Sequence, residues 1–314
     1  MCFFKDRFKN APKANTTIGL DIGSSTIKWV SLGNNNELKQ YAIQEIPMSL
    51  SIAQTKDIPQ IAAVLKETLF DQNPIRNCII NIPDIFVCCK WIQIDSVNYQ
   101  RIEKTIRVLA EQIISYPLCK LYFDYQVFDP PPQNQEKYNV LLVACRKEHL
   151  DFRLEIIQQA NLIPIIVEVG SFALERAFNF FYTDEMNENV ILLDIGVSQL
   201  TFLFFIHSQS QVYSENLCNV LEFESVLLQI KRCIKRYTLA YPYYVLTKLL
   251  LIGANISLLN YILNRLDGFL KLQIRILEYP KQLKYNPELN SEGIERSFMN
   301  LFLSYGLALR GNSL

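Results

Sequence analysis

Two short segments place an aspartate, a glycine and hydroxyl side chains together in a pattern that suits phosphate binding. Residues 21–26 read DIGSST, and residues 194–198 read DIGVS. A tight corner of this composition directs backbone N–H groups and hydroxyls toward a concave anion site. The aspartate beside the corner can order water molecules bound to Mg²⁺. Together the two segments predict a clamp that grips a polyphosphate from both sides.

A third segment, residues 249–253 (LLLIG), predicts a strand that ends in a glycine and precedes a helix. In a clamp of this kind such a segment closes over the adenosine, so the predicted cofactor is ATP with Mg²⁺. Asp21 and Asp194 are the predicted metal-binding residues, and no catalytic residue is predicted. The predicted cofactor-binding residues are Asp21, Gly23, Ser24, Ser25, Thr26, Lys28, Asp194, Gly196, Ser198, Gly253 and Ala254.

A purely structural interpretation of these segments stays open. An aspartate at a strand end caps a turn, and a glycine permits the corner. The pattern is therefore a stronger indication of the fold than of catalysis. The two histidines, His149 and His207, belong to no recognisable Ser-His-Asp or Cys-His arrangement. The eight cysteines form no CxxC pair, so we expect reduced cysteines that pack as small core residues in a cytosolic protein.

Each corner lies between two apolar runs with the character of β-strands. Residues 18–22 and 26–32 flank the first corner, and residues 190–194 and 200–206 flank the second. The two copies stand about half a chain length apart, which indicates an internal duplication. We predict an α/β protein with an actin-like (ribonuclease H-like) fold of two halves.

The remaining elements follow from hydrophobic periodicity and from turn residues. Asp57 is predicted to cap the helix that follows it. The other predicted strands are 39–46, 78–82, 87–94, 122–128, 139–145, 163–168, 249–253 and 272–276. The predicted helices are 58–69, a helix that ends near 114, 147–161, 171–181, 220–237, 258–266 and 296–309.

Bulk composition limits the possible partners. The chain has 314 residues, half of them hydrophobic, with 31 basic and 31 acidic side chains. This neutral balance argues against nucleic acid as the main partner. No apolar run approaches the ~18 residues that cross a bilayer, and no signal peptide is visible. Residues 1–13 mix phenylalanine with basic residues, so they either contact anionic lipid or form a solvated terminus.

Four stretches resemble the PilM family of type IV pilus assembly proteins. They are residues 18–32 (IGLDIGSSTIKWVSL), 111–127 (EQIISYPLCKLYFDYQV), 140–178 and 305–311 (YGLALRG). The stretch 140–178, which opens VLLVACRKEHL, carries the most specific match. The resemblance implies the fold of the cell-division protein FtsA, with an inserted subdomain in the first half. It also implies ATP binding, and binding of the short cytoplasmic N-terminal segment of the inner-membrane protein PilN.

The resemblance implies a division of the chain, which we give as an expectation. The predicted parts are an N-terminal tail (1–14), a first actin-like half (15–80 and 163–186), an inserted partner-binding subdomain (81–162), a reduced second half (187–296) and a C-terminal helix that packs back on the first half (297–314).

Three departures from the family pattern affect the predicted nucleotide site. Residues 252–255 read IGAN where the family has Ser-Gly-Gly-Gly, and Leu200 replaces a threonine. Residues 218–222 lack the family's Gly-Gly pair, and the chain soon continues into 228–232. A segment that forms one wall of the adenosine pocket is therefore largely missing. A pocket that lacks a wall buries less of its ligand, so we expect weak or lost nucleotide binding.

The predicted function is a cytoplasmic adapter of the pilus inner-membrane platform. It would be peripheral to that membrane through a PilN-like partner, with self-association as a further expectation. Residues 81–84, residues 146–148 and Asp124 are candidates for contact with the partner peptide. Two alternatives stay open: an active ATPase or kinase of the actin, Hsp70 and sugar-kinase superfamily, and an FtsA-like filament former.

Overall fold

The computed structural model describes residues 17–52, 54–69, 77–95, 102–128, 137–206, 209–217, 220–266 and 272–312. The predicted tail and its lipid contact, His207 and Cys218 lie outside these residues. The strands are β1 (Thr17–Ile22), β2 (Thr26–Leu32), β3 (Leu38–Glu45), β4 (Asn77–Ile82), β5 (Val87–Asp95), β6 (Leu121–Phe128), β7 (Lys137–Arg146), β8 (Ile163–Val169), β9 (Val190–Ile195), β10 (Gln199–Ile206), β11 (Gln209–Asn216), β12 (Lys248–Gly253) and β13 (Gln273–Ile276). The helices are α1 (Ile58–Thr68), α2 (Ile102–Ile113), α3 (Lys147–Gln159), α4 (Gly170–Phe181), α5 (Phe223–Ala240), α6 (Ile256–Leu266) and α7 (Ser291–Asn312).

Two five-stranded sheets share one topology. The first has the order β3-β2-β1-β4-β8 and the second has the order β11-β10-β9-β12-β13. In each sheet the three strands that come first in the chain form an antiparallel meander. The two later strands of each sheet then pair in parallel, beginning beside the first strand of the meander. The internal duplication inferred from the twin corners is therefore present in the strand order of both sheets.

Strand β11 is not predicted from the sequence. This strand reads QSQVYSEN and has no run of apolar residues. It forms because it pairs along its whole length with β10, from Gln199↔Asn216 to Ile206↔Gln209. An edge strand that is solvated on one side needs little apolar material, so hydrophobic periodicity does not detect it.

Two predicted helix features are wrong in detail. Asp57 stands at the start of α1, but its carboxylate caps no backbone N–H of that helix. Its Oδ2 atom instead accepts a hydrogen bond from the N–H of Ser51 at 2.9 Å, which ties down the preceding loop. The final helix begins at Ser291 rather than near 296, because Asn290 Oδ1 accepts from the N–H of Glu292 at 3.1 Å and supports an earlier start.

A third sheet, in the order β5-β7-β6, falls in the predicted inserted subdomain. Alternate side chains of β7 serve two cores. Val140, Leu142 and Ala144 pack with α2, whereas Leu141 and Val143 pack with α1 and α3. Helix α3 lies within the predicted inserted range but shares the core of the first sheet. The exact division into subdomains stays a prediction.

Helices α4 and α7 lie between the two large sheets and form the central layer. Their apolar side chains share one core with both sheets, from Val30 in β2 to Leu250 in β12. Helices α1 and α3 cover the outer face of the first sheet, and α5 and α6 cover the outer face of the second. The two halves are thus joined through one continuous apolar layer.

The backbones of α4 and α7 touch at Gly306. A Cβ atom at this position would overlap the carbonyl group of Ala173 in α4. Arg176 of α4 also donates to the carbonyl oxygen of Gly306 at 2.7 Å and forms an ion pair with the fully buried Glu168 of β8. The absence of a side chain at Gly306 therefore sets the spacing of the central layer.

The substitution Gly306→Ala tests this contact. We expect it to lower the free energy of unfolding by roughly 3 kcal/mol or more, because the added methyl group meets backbone that cannot rotate away. Chemical denaturation followed by circular dichroism measures the change. Gly293→Ala is the matched control in the same helix, since its Cβ would meet only side-chain atoms, the nearest at 3.2 Å. Equal stability of the two variants would contradict the assigned role of Gly306.

Candidate functional site

A cleft of about 570 Å³ lies where the two large sheets present their corners to each other. Every predicted cofactor-binding residue lines it. The structure thus brings together Asp21, Gly23, Ser24, Ser25, Thr26 and Lys28 from the first half with Asp194, Gly196, Ser198, Gly253 and Ala254 from the second. Their roles in binding a ligand stay predictions.

The two corners are built in the same way. The N–H of Gly23 donates to the carbonyl oxygen of Thr26 at 2.9 Å, and the N–H of Gly196 donates to that of Gln199 at 3.0 Å. At both glycines a Cβ atom would lie 3.0 to 3.1 Å from the acceptor oxygen, which is closer than side chains normally approach. A glycine therefore fits each corner without crowding the acceptor oxygen, whether or not a ligand binds.

The charges at the two corners differ. In the first hairpin Asp21 is paired across the strands with Lys28, and their side chains form a salt bridge of 3.2 Å. In the second hairpin the residue opposite Asp194 is Thr201, which is fully buried and uncharged. The first carboxylate is therefore neutralised by its own hairpin, whereas the second is not.

Burial in the cleft raises the pKa of Asp194 to about 6. Lys28 opposes this rise, while the negative charges of Asp21 and Asp84 add to it. Asp194 thus titrates close to neutral pH. A cation in the cleft would favour its ionised form, because opposite charge lowers the pKa of a carboxyl group.

The residues of the cleft fit a magnesium ion held mainly through water. Mg²⁺ commonly binds one or two protein carboxylates together with phosphate oxygens and several waters. Asp21 and Asp194 supply two carboxylates from opposite walls. No group of three or more metal-binding side chains occurs among the described residues, so these residues alone form no closed metal cage.

The segment between β12 and α6, residues 253–255, contributes to the fold in ways that the sequence does not reveal. A Cβ atom at Gly253 would lie 2.7 Å from the carbonyl oxygen of Ile195, so the glycine permits β12 to approach the end of β9. Asn255 caps α6, since its Oδ1 atom accepts from the N–H of Leu258 at 3.0 Å. Both residues still line the cleft. Their residue types are explained by local packing without reference to a nucleotide.

Sequence reasoning missed Arg153, which also lines the cleft. Its side chain is only 3% exposed, although it belongs to an otherwise amphipathic helix. The helical spacing does indicate its position, because Arg153 stands three residues after Leu150 and four before Ile157, on the apolar face of α3. A charged residue on such a face marks a buried polar site.

Several residues that were predicted to contact the partner peptide form hydrogen bonds within the protein. Asp84 accepts from the N–H of Ser171 at 2.9 Å at the start of α4, and burial raises the pKa of this carboxyl group to about 6. Asp124 accepts from the N–H of Tyr125 at 2.8 Å. Arg146 donates to Glu148 at 3.3 Å. Contact of these segments with a partner stays a prediction.

Comparison with known proteins gives one family and several structures of the same fold. A model of the family described as type IV pilus assembly protein PilM matches residues 19–218. A solved PilM–PilN type IV pilus biogenesis complex has a chain that superposes with a TM-score of 0.79 at 20% identity, over 94% of this chain and 98% of that one.

Two more distant structures have the same fold. A Bacteroides thetaiotaomicron protein with an actin-like ATPase fold and unknown function gives a TM-score of 0.53 at 14% identity, over 86% of this chain and 93% of that one. The cytoplasmic domain of EpsL, an inner-membrane component of the type II secretion system of Vibrio cholerae, gives 0.50 at 10% identity, over 94% and 95%. The predicted actin-like α/β fold and the family resemblance are both confirmed. None of the described helices is long and apolar enough to cross a membrane.

The substitution Asp194→Asn tests the electrostatics of the cleft. The pKa of Asp194 is higher in the folded protein than the ~3.9 of an unfolded chain, so ionisation disfavours folding as pH rises through about 4 to 6. We expect the asparagine variant to be more stable than the wild type by roughly 1 to 2 kcal/mol at pH 8, and the gain to vanish near pH 4. Urea titrations at both pH values measure it. Asp184→Asn, at an exposed site, is the control; a gain that does not depend on pH would contradict the assignment.

Proposed function

The chain belongs to the PilM family of type IV pilus assembly proteins, and we propose that it is a cytoplasmic adapter of the pilus inner-membrane platform. One observation carries this proposal. The fold aligns from end to end with the PilM-like chain of a complex whose other component is PilN. The proposed partner is the cytoplasmic N-terminal segment of a PilN-like membrane protein. The adapter would lie at the inner membrane through this partner, and it would associate with further copies of itself.

The inserted sheet offers a surface for an extended peptide. Strand β5 is an edge strand of that sheet, and its Trp91 side chain is 62% exposed. Trp91 lies opposite Leu141 of β7 and therefore on the face that adjoins the first half. The ring of Phe128 lies beside it, with 5.1 Å between ring centroids. A strand edge with no partner strand among the described residues, next to the exposed Trp91 and the half-buried Phe128, suits a peptide that adds as a strand and inserts an apolar side chain.

The substitution Trp91→Ala tests this surface. We expect it to weaken binding of a synthetic peptide of the PilN-like N-terminal segment by about tenfold, because an exposed aromatic anchor contributes strongly at such interfaces. Isothermal titration calorimetry measures the affinity. Val108→Ala is the control, since Val108 of α2 is also exposed, at 48%, and belongs to the helix on the opposite face of the sheet. Peptide binding that is absent in the wild type would contradict the adapter proposal, and equal affinities of both variants would exclude Trp91 as the anchor.

Nucleotide binding in this adapter is proposed to be weak or lost. Between β11 and β12 the described residues are Leu217, the turn at 220–222, helix α5 and a short loop over 241–247, so they supply little material for a wall above the adenosine. Asn255 occupies the place where the family has a glycine, and its side chain caps α6 at the rim of the cleft. A ligand in this cleft would keep much of its base exposed, which limits affinity.

Titration with Mg-ATP tests the nucleotide proposal. We expect a dissociation constant weaker than about 100 μM, which corresponds to roughly −5.5 kcal/mol. Isothermal titration calorimetry on the full chain gives the value directly. Binding in the low-micromolar range would contradict the proposal and would favour the alternative of an ATP-hydrolysing protein of the same superfamily.

A further inference from the structure

The segment 225–266, from the first turn of α5 to the end of α6, carries positive charge only. It contains six basic side chains and no acidic one, although the chain as a whole has 31 of each. Four of the six lie within two turns of α5, at Lys231, Arg232, Lys235 and Arg236. A local surplus of positive charge on a chain that is neutral overall indicates an anionic partner for this surface.

The exposed face of α5 carries this charge. The apolar face of the helix, which includes Ile230 and Ile234, packs against the second sheet. Arg232, Lys235 and Leu239 are exposed, and their spacing of three and four residues places them on one face of the helix. Neither Arg232 nor Lys235 forms a salt bridge within the described part of the chain. Their charge is therefore available to a partner.

The acidic residues around this face are engaged elsewhere. Glu215 of β11 accepts a hydrogen bond from the thiol of Cys233 at 3.0 Å, on the buried side of α5. Near the start of β12, Glu185 and Glu188 form ion pairs with Lys248 at 3.1 and 2.7 Å. These carboxylates therefore do not cancel the charge of Arg232 and Lys235.

An apolar loop rich in tyrosine extends the basic face beyond the end of α5. Every residue from Thr238 to Val245 is exposed. Tyr243 is 93% exposed, Val245 is 73% exposed and Leu239 is 71% exposed, so these side chains contribute little to the core. A contiguous group of exposed apolar side chains marks a contact surface more often than a structural feature.

The loop is held in place at both ends. The ring of Tyr241 contacts the ring of Tyr237, with 4.9 Å between centroids, and Tyr237 is stacked on Phe204 of β10 at 3.6 Å. At the other end the carbonyl oxygen of Val245 accepts from the side-chain amide of Asn189 at 2.9 Å. The exposed side chains are thus presented from an ordered backbone, which lowers the entropic cost of binding.

We propose that these residues form a contact surface for an anionic phospholipid membrane. The surface, called the α5 surface below, consists of Arg232, Lys235, Leu239 and residues 241–245. Its basic side chains meet the phosphate groups of the lipids, and its tyrosines enter the headgroup region, where rings with a polar hydroxyl are favoured. This inference goes beyond the adapter proposal, because contact with lipid needs no partner protein.

The chemistry of the α5 surface favours lipid over other anionic partners. The anchors of a protein interface are usually buried in well-packed pockets, whereas these side chains protrude from a loop that is exposed along its length. Leu239 and Val245 cannot stack on bases, which single-stranded nucleic acid would require of its contacts. Basic residues beside protruding aliphatic and aromatic side chains are typical of segments that lie in the membrane interface.

The test is co-sedimentation of the full chain with lipid vesicles in the absence of any partner peptide. One set of vesicles contains phosphatidylglycerol and phosphatidylcholine in a ratio of about 3:7, and the other contains phosphatidylcholine alone. We expect binding to the anionic vesicles only. The partition coefficient should fall about tenfold when NaCl is raised from about 50 to about 500 mM, because salt screens the attraction.

A charge variant with a matched control assigns the binding to the α5 surface. Arg232→Gln combined with Lys235→Gln should lower the partition coefficient on the order of tenfold or more, since each basic residue near an anionic membrane contributes to affinity. Lys281→Gln combined with Arg296→Gln is the control. It removes the same charge from two exposed sites outside the α5 surface and should bind as the wild type does.

A fluorescent reporter locates the loop relative to the lipid. In Tyr243→Trp we expect the tryptophan emission to shift to shorter wavelength when anionic vesicles are added, because the ring enters the headgroup region. Met48→Trp is the matched control, since Met48 is fully exposed in the loop after β3. Its emission should not change.

Several results would overturn the proposal. They are wild-type protein that does not sediment with the anionic vesicles, equal partition of the charge variant and its control, and sedimentation without an emission shift in Tyr243→Trp. The last result would place the contact elsewhere, for example in residues 1–13. Tighter binding of polyglutamate or oligothymidine than of vesicles would assign the α5 surface to an acidic protein or to nucleic acid. A dimer that Tyr243→Ser abolishes in sedimentation velocity would assign it to a second copy of this chain.

Titration of the same proteins with the PilN-like peptide keeps this outcome separate from the adapter proposal. The charge variant of the α5 surface should bind the peptide as the wild type does, because its substitutions lie in the second half and the proposed peptide edge lies in the third sheet. Wild-type protein that binds vesicles but no peptide would contradict the adapter proposal alone, and the reverse result would contradict the lipid proposal alone.

Discussion

The packing of α7 against α4 and β1 is the contact on which the rest of the structure depends. Gly306 permits the two helix backbones to touch, and Gly19 does the same where the backbone of α7 near Ser304 crosses β1. Because these contacts involve backbone, they leave no freedom for the helix to slide. The core around α4 and α7 includes residues of both sheets, so this spacing also sets the distance between the two corners. The cleft is a consequence of that spacing.

The duplication produced two hairpins with one backbone and two kinds of charge. Lys28 compensates Asp21 from the neighbouring strand, whereas the equivalent Thr201 leaves Asp194 without a counter-charge in its own hairpin. The charges on the cleft wall from the first half therefore cancel better than those on the wall from the second half. It also contains Arg153, whose charge reaches the cleft from a helix of the first-half core. Positive charge in the cleft is therefore concentrated on the side of the first half.

The cleft and the third sheet are connected through one turn. The turn at Asp84–Phe86 precedes β5, contacts β11 of the second half, and places Phe86 against His149 and Arg153. Asp84 from the same turn accepts from the start of α4. This turn therefore contacts the cleft, the third sheet and the start of α4.

The sequence alone determined the fold class, the twin corners and all eleven residues that meet in the cleft, because these depend on local patterns: an apolar run, an aspartate, a glycine and a returning run. It did not reveal β11, whose polar residues form a strand only because β10 lies beside them. It did not assign Gly253 to the approach of β12 and β9, or Asp57 to the loop before α1. It also passed over Arg153, since the burial of a charge on an apolar helix face depends on what packs against that face. Only the tertiary structure decides which polar atoms lose water and still lack a partner, because burial is a property of the assembled layers and not of the local chain.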